Sequence, residues 1–174
     1  MKQIAVIAGQ GALPGAVVAA LGDAAVFAPE GLEIALPAER FRFERLVPFL
    51  RHLVDSGVTG VVLAGAMTRP RLDPALFDPA TAQLVPRLLA AMQAGDDATL
   101  REVIAIIEEA GLEVLGIESV APGLIAGPGV LGSVQPSDLD RRDAARAAVI
   151  VAALGAADVG QGCVVAGGLC LAAE

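Results

Sequence analysis

The run Ile7-Ala8-Gly9-Gln10-Gly11-Ala12-Leu13-Pro14-Gly15 leaves bare backbone at Gly9 and Gly11, directly after an apolar stretch. Glycines in such a turn let a ligand reach the main chain, and N–H groups at the start of the next helix favour an anion. A tight βα turn uses the same residues without any ligand, and the pattern leaves both uses open. A dinucleotide fingerprint asks for Gly-x-Gly-x-x-Gly, with an acidic residue about 20 positions later for the ribose. Here Pro14 fills the third glycine position, Gly15 comes one residue late, and Glu30 stands roughly where the ribose carboxylate belongs. The match is partial.

A second glycine turn, Ala64-Gly65-Ala66-Met67-Thr68-Arg69-Pro70-Arg71, again follows an apolar run. Arg69 and Arg71 are thereby expected beyond the carboxyl end of a strand, the edge at which open parallel sheets bind ligands. A guanidinium there grips phosphate with two parallel hydrogen bonds, which lysine does not match. The other use of these residues is as solvated loop arginines. Arg40, Arg42 and Arg45, and Arg141, Arg142 and Arg146, form two more small basic groups that suit salt-bridging faces or a phosphorylated ligand. Asp96-Asp97 suits magnesium, but adjacent acids at a helix start are also expected capping chemistry. His52 falls on a polar helix face, and Ser56, Ser119, Ser133 and Ser137 have no histidine near them in sequence, so nothing supports a hydrolase triad.

The elements that would hold these groups alternate. Lys2–Ala8, Ala24–Ala28, Val58–Ala64 and Glu113–Ile117 read as strands. Pro14–Leu21, a segment from about Glu44 to Gly57, and Asp138–Leu154 read as helices. Ala80–Ala94 is helical with a kink or split at Pro86. In Gly95–Gly111 the residues Leu100, Val103, Ile104 and Ile107 make a helical stripe that Asp96, Asp97 or Thr99 caps. Strand–helix alternation with short glycine turns predicts an α/β fold, a Rossmann-like parallel sheet covered by helices. The stretches around Cys163–Val165 and Leu169–Glu174 read as a hairpin turning at Gly167-Gly168. A lone hairpin is marginal, so residues 1–134 are expected to form the first domain and 135–174 the beginning of a second α/β domain. A terminal hairpin docked on the main sheet is the alternative.

Composition narrows the class. The 174 residues are 55% hydrophobic but only 3% aromatic, with neither Trp nor Tyr, so Ala, Val, Leu and Gly must do the packing. Mean hydropathy is +0.67, yet the longest near-apolar stretch, Ala147–Ala157, falls well short of the roughly 20 residues of a spanning helix. The start of the chain reads as a strand, not a signal peptide, and a cytoplasmic location is expected. A net charge of −8, from 12 basic and 20 acidic residues, argues against nucleic acid as a partner. In the hairpin Val165 should face Cys170, leaving Cys163 on a diagonal that suits no disulfide, so both are expected as reduced core thiols.

Five segments, IAGQGALPG, VVLAGAMTRPRL, GDDATLREVIAIIEEAG, APGLIAGPGVLG and AADVGQGCVV, occur in an order that resembles the UDP-2,3-diacylglucosamine pyrophosphatase family of lipid A biosynthesis. This is the alphaproteobacterial type, unrelated to the calcineurin-like phosphoesterases. The resemblance implies two domains with the substrate between them. It also implies Mg²⁺ as cofactor, hydrolysis of UDP-2,3-diacylglucosamine to 2,3-diacylglucosamine 1-phosphate and UMP, and Gly9, Gln10, Gly11, Arg69 and Gln161 facing the cleft. Such families continue past the Asp-Val-Gly-Gln segment with Glu-Ala-Ile-Glu-Gly-Thr-Asp and a catalytic aspartate. The catalytic residues are therefore expected beyond Glu174, and the 174-residue chain by itself is expected to be inactive. Peripheral contact with the inner membrane and homo-oligomer formation are left open. Two other classes stay in view: a non-catalytic nucleotide-sugar or phosphate-binding module, and a nicotinamide-dependent oxidoreductase, against which Pro14 argues.

Overall fold

The computed structural model describes residues 3–68 and 70–174. Its main body is a five-stranded sheet in the order β3-β2-β1-β4-β5, every neighbouring pair parallel. The strands are β1 (Gln3–Ala8), β2 (Ala25–Pro29), β3 (Glu39–Phe41), β4 (Val58–Ala64) and β5 (Glu113–Val114). This is the Rossmann-like α/β arrangement that the alternation predicts. Because side chains of a strand point alternately to opposite faces, β1 divides its residues between two cores. Ala5 and Ile7 join Phe27, Phe49, Leu50, Leu53 and Val61 on one face, and Val6 and Ala8 join Val17 and Val62 on the other. Both faces are buried, as a parallel sheet requires.

Helices cover both layers. On the first face lies α2 (Leu46–Asp55), whose Leu46, Phe49, Leu50 and Leu53 recur every three or four residues and are buried. The stacked rings of Phe41 and Phe49, 4.2 Å between centroids, fix it against β3. Opposite lie α1 (Leu13–Leu21), which carries Pro14 in its first turn where no N–H is needed, and the one-turn α6 (Ile117–Val120).

Several expectations shift. β3 has only three residues, too few to show alternation, and was not foreseen. β5 stops at Val114 because Ile117 already starts α6. The segment around Pro86 is split into α3 (Pro79–Ala82) and α4 (Val85–Ala94), with the proline in the first turn of α4. The long helix α5 (Asp96–Glu109) is capped by neither Asp96, Asp97 nor Thr99: its N-cap is Gly95, and Thr99 Oγ donates back to the Gly95 carbonyl at 2.7 Å. Its buried residues are Ile106 and Ile107, whereas Leu100 is 49% exposed, because only the C-terminal half of α5 reaches the sheet core. Arg87 on α4 ties the two helices together through Glu102 and Glu109 on α5.

Beyond residue 136 comes α7 (Asp138–Ala156), followed by the antiparallel strands β6 (Cys163–Ala166) and β7 (Leu169–Ala173) in a sheet of their own. Ser137 and Asp140 form a reciprocal capping box at the start of α7. The turn glycines Gly167 (φ 58°) and Gly168 (φ 78°) adopt the left-handed pair that a two-residue hairpin demands. Both of their N–H groups donate to Asp143 on α7, each at 2.8 Å, so a buried carboxylate seats the hairpin tip. Val165 faces Cys170 as the spacing predicts, and both cysteines are free. They are not core thiols, however: Cys163 is half-buried and Cys170 exposed, since among the described residues no layer covers β7.

Candidate functional site

All of the turns that follow β1, β2, β3 and β4 gather at one edge of the sheet, because the strands are parallel. The first turn, Gly9-Gln10-Gly11, does not stand alone. Gly9 N donates to Ala64 O at 2.7 Å and Gln10 N to Ala66 O at 2.7 Å, while Ala66 N returns a bond to Gln10 O at 3.0 Å. The two crossover turns are therefore stitched into an antiparallel bridge. A Cβ on Gly9 would run into Ala66 O and come within 2.7 Å of the Gly65 carbonyl carbon. One on Gly65, at φ 95°, would lie 2.7 Å from Gln10 O and 2.8 Å from Pro14 Cγ. Turn-on-turn packing thus accounts for Gly9 and Gly65 and engages the Gly9 and Gln10 amides. Gly11 (φ 94°) has open space around its Cβ direction. It leads into α1, whose N-cap Ala12 supplies no side-chain cap.

Beside this bridge a cavity of about 570 Å³ opens at the same edge. One wall is the turn after β2, Pro29–Leu32, together with Phe41–Glu44 after β3. The other is Met67, Thr68 and Pro70–Asp73 after β4, with Leu76 below. Ala66, which is bonded to Gln10, directly precedes Met67 in this wall, so bridge and cavity are contiguous.

Charged groups on the walls are held in place. Arg42 Nε donates to Glu30 Oε2 at 2.6 Å. Glu44, 8% exposed, accepts from the Asp73 amide at 2.9 Å and so anchors the post-β4 segment to the end of β3. Asp78 fastens the next turn. Burial alone would raise its pKa, but hydrogen bonds from the Thr81 side chain and from the Thr81 and Ala80 amides, with Arg45 nearby, hold it below the usual aspartate range. Arg40 is spent on the carbonyls of Pro29 and Leu32. His52, half-exposed and 3.8 Å from Glu39, decorates the surface as expected.

Of the five residues singled out in the sequence, Gly9, Gln10 and Gly11 lie at the carboxyl edge. Arg69 lies outside the described residues, although Thr68 and Pro70 on either side line the cavity. Gln161 is exposed on the segment between α7 and β6, its amide donating to Glu174 O at 2.6 Å. Three residues earlier, Asp158 places its carboxylate against Gly95 at the start of α5. Because α5 descends to the amino end of β5, its first turn belongs to the carboxyl edge too. Glu44, Asp73 and Asp158 were missed: each looks like an ordinary surface acid until the chain is folded. Among the described residues no three His, Cys, Asp or Glu side chains converge as a metal site, and Asp97 is paired with Arg101 at 2.6 Å.

Residues 3–124 match the LpxI N-terminal domain and residues 127–174 the LpxI C-terminal domain. The chain belongs to the LpxI family. Along its whole length it is 31% identical, over 183 aligned residues, to the UDP-2,3-diacylglucosamine pyrophosphatase LpxI of Caulobacter vibrioides. The alignment covers 100% of this chain and 65% of that LpxI, so the chain spans about two-thirds of its relative's length. The break between the two LpxI domains falls just past the 3₁₀ turn Pro122–Leu124, where the α/β body ends and the connection to α7 begins.

Proposed function

We propose that the chain acts in lipid A biosynthesis in the hydrolysis of UDP-2,3-diacylglucosamine to 2,3-diacylglucosamine 1-phosphate and UMP. The observation that carries this reading is the match to both LpxI domains in order, with identity along the whole chain to a relative named for that reaction. The cavity at the carboxyl edge of the sheet supports it, since such edges receive nucleotides. In the reaction, water adds to one phosphorus of the diphosphate and the bridging P–O bond breaks, leaving a phosphate on each product. Catalysis of this kind rests on positioning and on stabilising charge on the phosphoryl oxygens.

The share of these residues is to bind. Gly11 and the uncapped start of α1, the Gln10 side chain, Arg69 and Gln161 are proposed to face the diphosphate. Exposed aliphatic residues of the connection, Leu124, Ile125, Val130 and Leu131, are proposed to meet the acyl chains. No described helix is long and apolar enough to cross a membrane, and contact with lipid is proposed to be peripheral.

Magnesium belongs to the same proposal. It keeps several waters and takes one or two carboxylates plus substrate phosphates. The described residues offer no cage for it, and dependence on it is tested by chelation.

The deciding measurement is UMP release from UDP-2,3-diacylglucosamine by the protein expressed from its own gene, with and without EDTA. Release of UMP that stops on chelation is expected. Saturable binding of the substrate without any UMP release would identify a binding module instead, and neither binding nor release would overturn the reading.

A further inference from the structure

We propose that the cavity between the β2–β3 turn and the segment after β4 is the nucleoside subsite, with Glu30 receiving the ribose cis-diol. The inference rests on the proposed uridine-nucleotide substrate and says which residues read its sugar.

Glu30 immediately follows the last residue of β2. In dinucleotide-binding sheets of this strand order a carboxylate near that position hydrogen-bonds a ribose hydroxyl. Here it is held from three sides. Its amide donates to Phe41 O at 2.8 Å, which ties it to the end of β3. Its turn is closed by Leu32 N to Pro29 O at 3.3 Å with Gly31 at φ 77°, the geometry of a type II turn. Arg40 clamps that turn through the same Pro29 carbonyl and that of Leu32, at 3.2 and 2.7 Å. The carboxylate itself is gripped by Arg42 at 2.6 Å.

With side chains 43% and 47% exposed, the Arg42–Glu30 pair adds little to stability. Its consequence is positional: a carboxylate fixed at the lip of a cavity of about 570 Å³. A carboxylate is an acceptor with about four lone-pair sites, so one bond from Arg42 leaves capacity for the two donors of a cis-diol.

The other parts of the substrate fit this cavity less well. A diphosphate would meet three acids on these walls, Glu30, Glu44 and Asp73, against Arg71 and an Arg42 already engaged by Glu30. Acyl chains would strip water from those same acids, which is costly without new partners. A nucleoside suits both halves of the lining: hydroxyls for Glu30, and Phe43, Met67, Leu72 and Leu76 for the faces of the base. The volume lies within the range of small-molecule sites. Through Ala66 the wall continues into the Gln10 bridge, so a phosphate leaving the ribose meets the glycine turn.

The test is calorimetric titration of UMP and 2′-deoxy-UMP into the protein expressed from its gene, with UMP release from UDP-2,3-diacylglucosamine followed in parallel. Wild type should bind UMP about tenfold more tightly than the deoxy form, as expected for one hydrogen bond to a charged group. Glu30→Ala should erase that preference, weakening UMP about tenfold more than 2′-deoxy-UMP, which has only its 3′-hydroxyl bond to lose. Glu30→Gln, which keeps one acceptor oxygen, should retain part of it. Equal binding of the two nucleotides by wild type, or equal weakening of both in Glu30→Ala, would overturn the subsite. Hydrolysis persisting alongside either result would leave the proposed function standing, whereas loss of both nucleotide binding and hydrolysis would remove the two together.

Discussion

Gln10 and Ala66 exchange two backbone hydrogen bonds, at 2.7 and 3.0 Å, and so join the turns after β1 and β4 into one rigid edge. The glycines around them serve this approach first. Replacing Gly9 by Ala sets a Cβ against the backbone of Gly65 and Ala66, which has no flexible end to give way, and Gly65→Ala adds the strain of φ 95°. Each should cost about 1–3 kcal/mol, read as a lower urea midpoint at unchanged slope. Gly11→Ala, with open space around it and only its φ to penalise it, should cost about 1 kcal/mol. If Gly9→Ala proves as stable as wild type, the stitched edge is wrong.

The hairpin should depend on one carboxylate. Asp143→Ala removes the acceptor of both Gly167 and Gly168 N–H groups, at a cost of about 1–3 kcal/mol. Amide exchange at residues 167 and 168 should accelerate, while the amides of Val6 and Val62 in the main sheet keep their protection. Uniform acceleration would mean that the hairpin and the sheet unfold as one unit.

Gly95 and Asp158 should behave as a coupled pair. Gly95 has φ 142°, and its missing Cβ is replaced by the Asp158 carboxylate, whose own residue sits at φ 51°. Gly95→Ala should destabilise by about 1–3 kcal/mol, and Asp158→Gly should recover part of the loss, because it removes the collision and relaxes a left-handed residue. Strictly additive effects of the two changes would show that the side chains do not meet.

A pH effect should be visible at the start of α7. Hydrogen bonds from the Ser137 hydroxyl, then from the Ser137 amide, hold the Asp140 carboxyl below the usual aspartate range. A carboxyl depressed by folding contributes stability that is complete above its unfolded pKa of about 4. That contribution fades as pH falls through the lower folded value. In Ser137→Ala the Asp140 carboxyl, followed by NMR titration, should move upward toward the ordinary value, and α7 should lose stability at every pH, because the hydroxyl also caps the Asp140 amide, with the larger loss above pH 4. An unmoved titration would remove Ser137 as the cause.

Period and turn chemistry are local, and they were legible. The strands over 58–64 and the long helix after Ser137 follow from spacing alone, as does the facing of Val165 and Cys170, because each depends on residues a few positions apart. β3 was hidden for the same reason: a three-residue strand has no period, and only the edge of β2 makes it one.

Family membership also came from the residues in order, since five separate segments need no fold to be compared. What the glycines at positions 9 and 65 are for did not, because bare backbone looks alike whether a ligand or another turn approaches it. Their mutual contact, the grip of Arg42 on Glu30 and the reach of Asp158 to Gly95 join residues remote in sequence. Only the packing of parallel strands, which brings the turn leaving each strand to one edge, decided which of them meet.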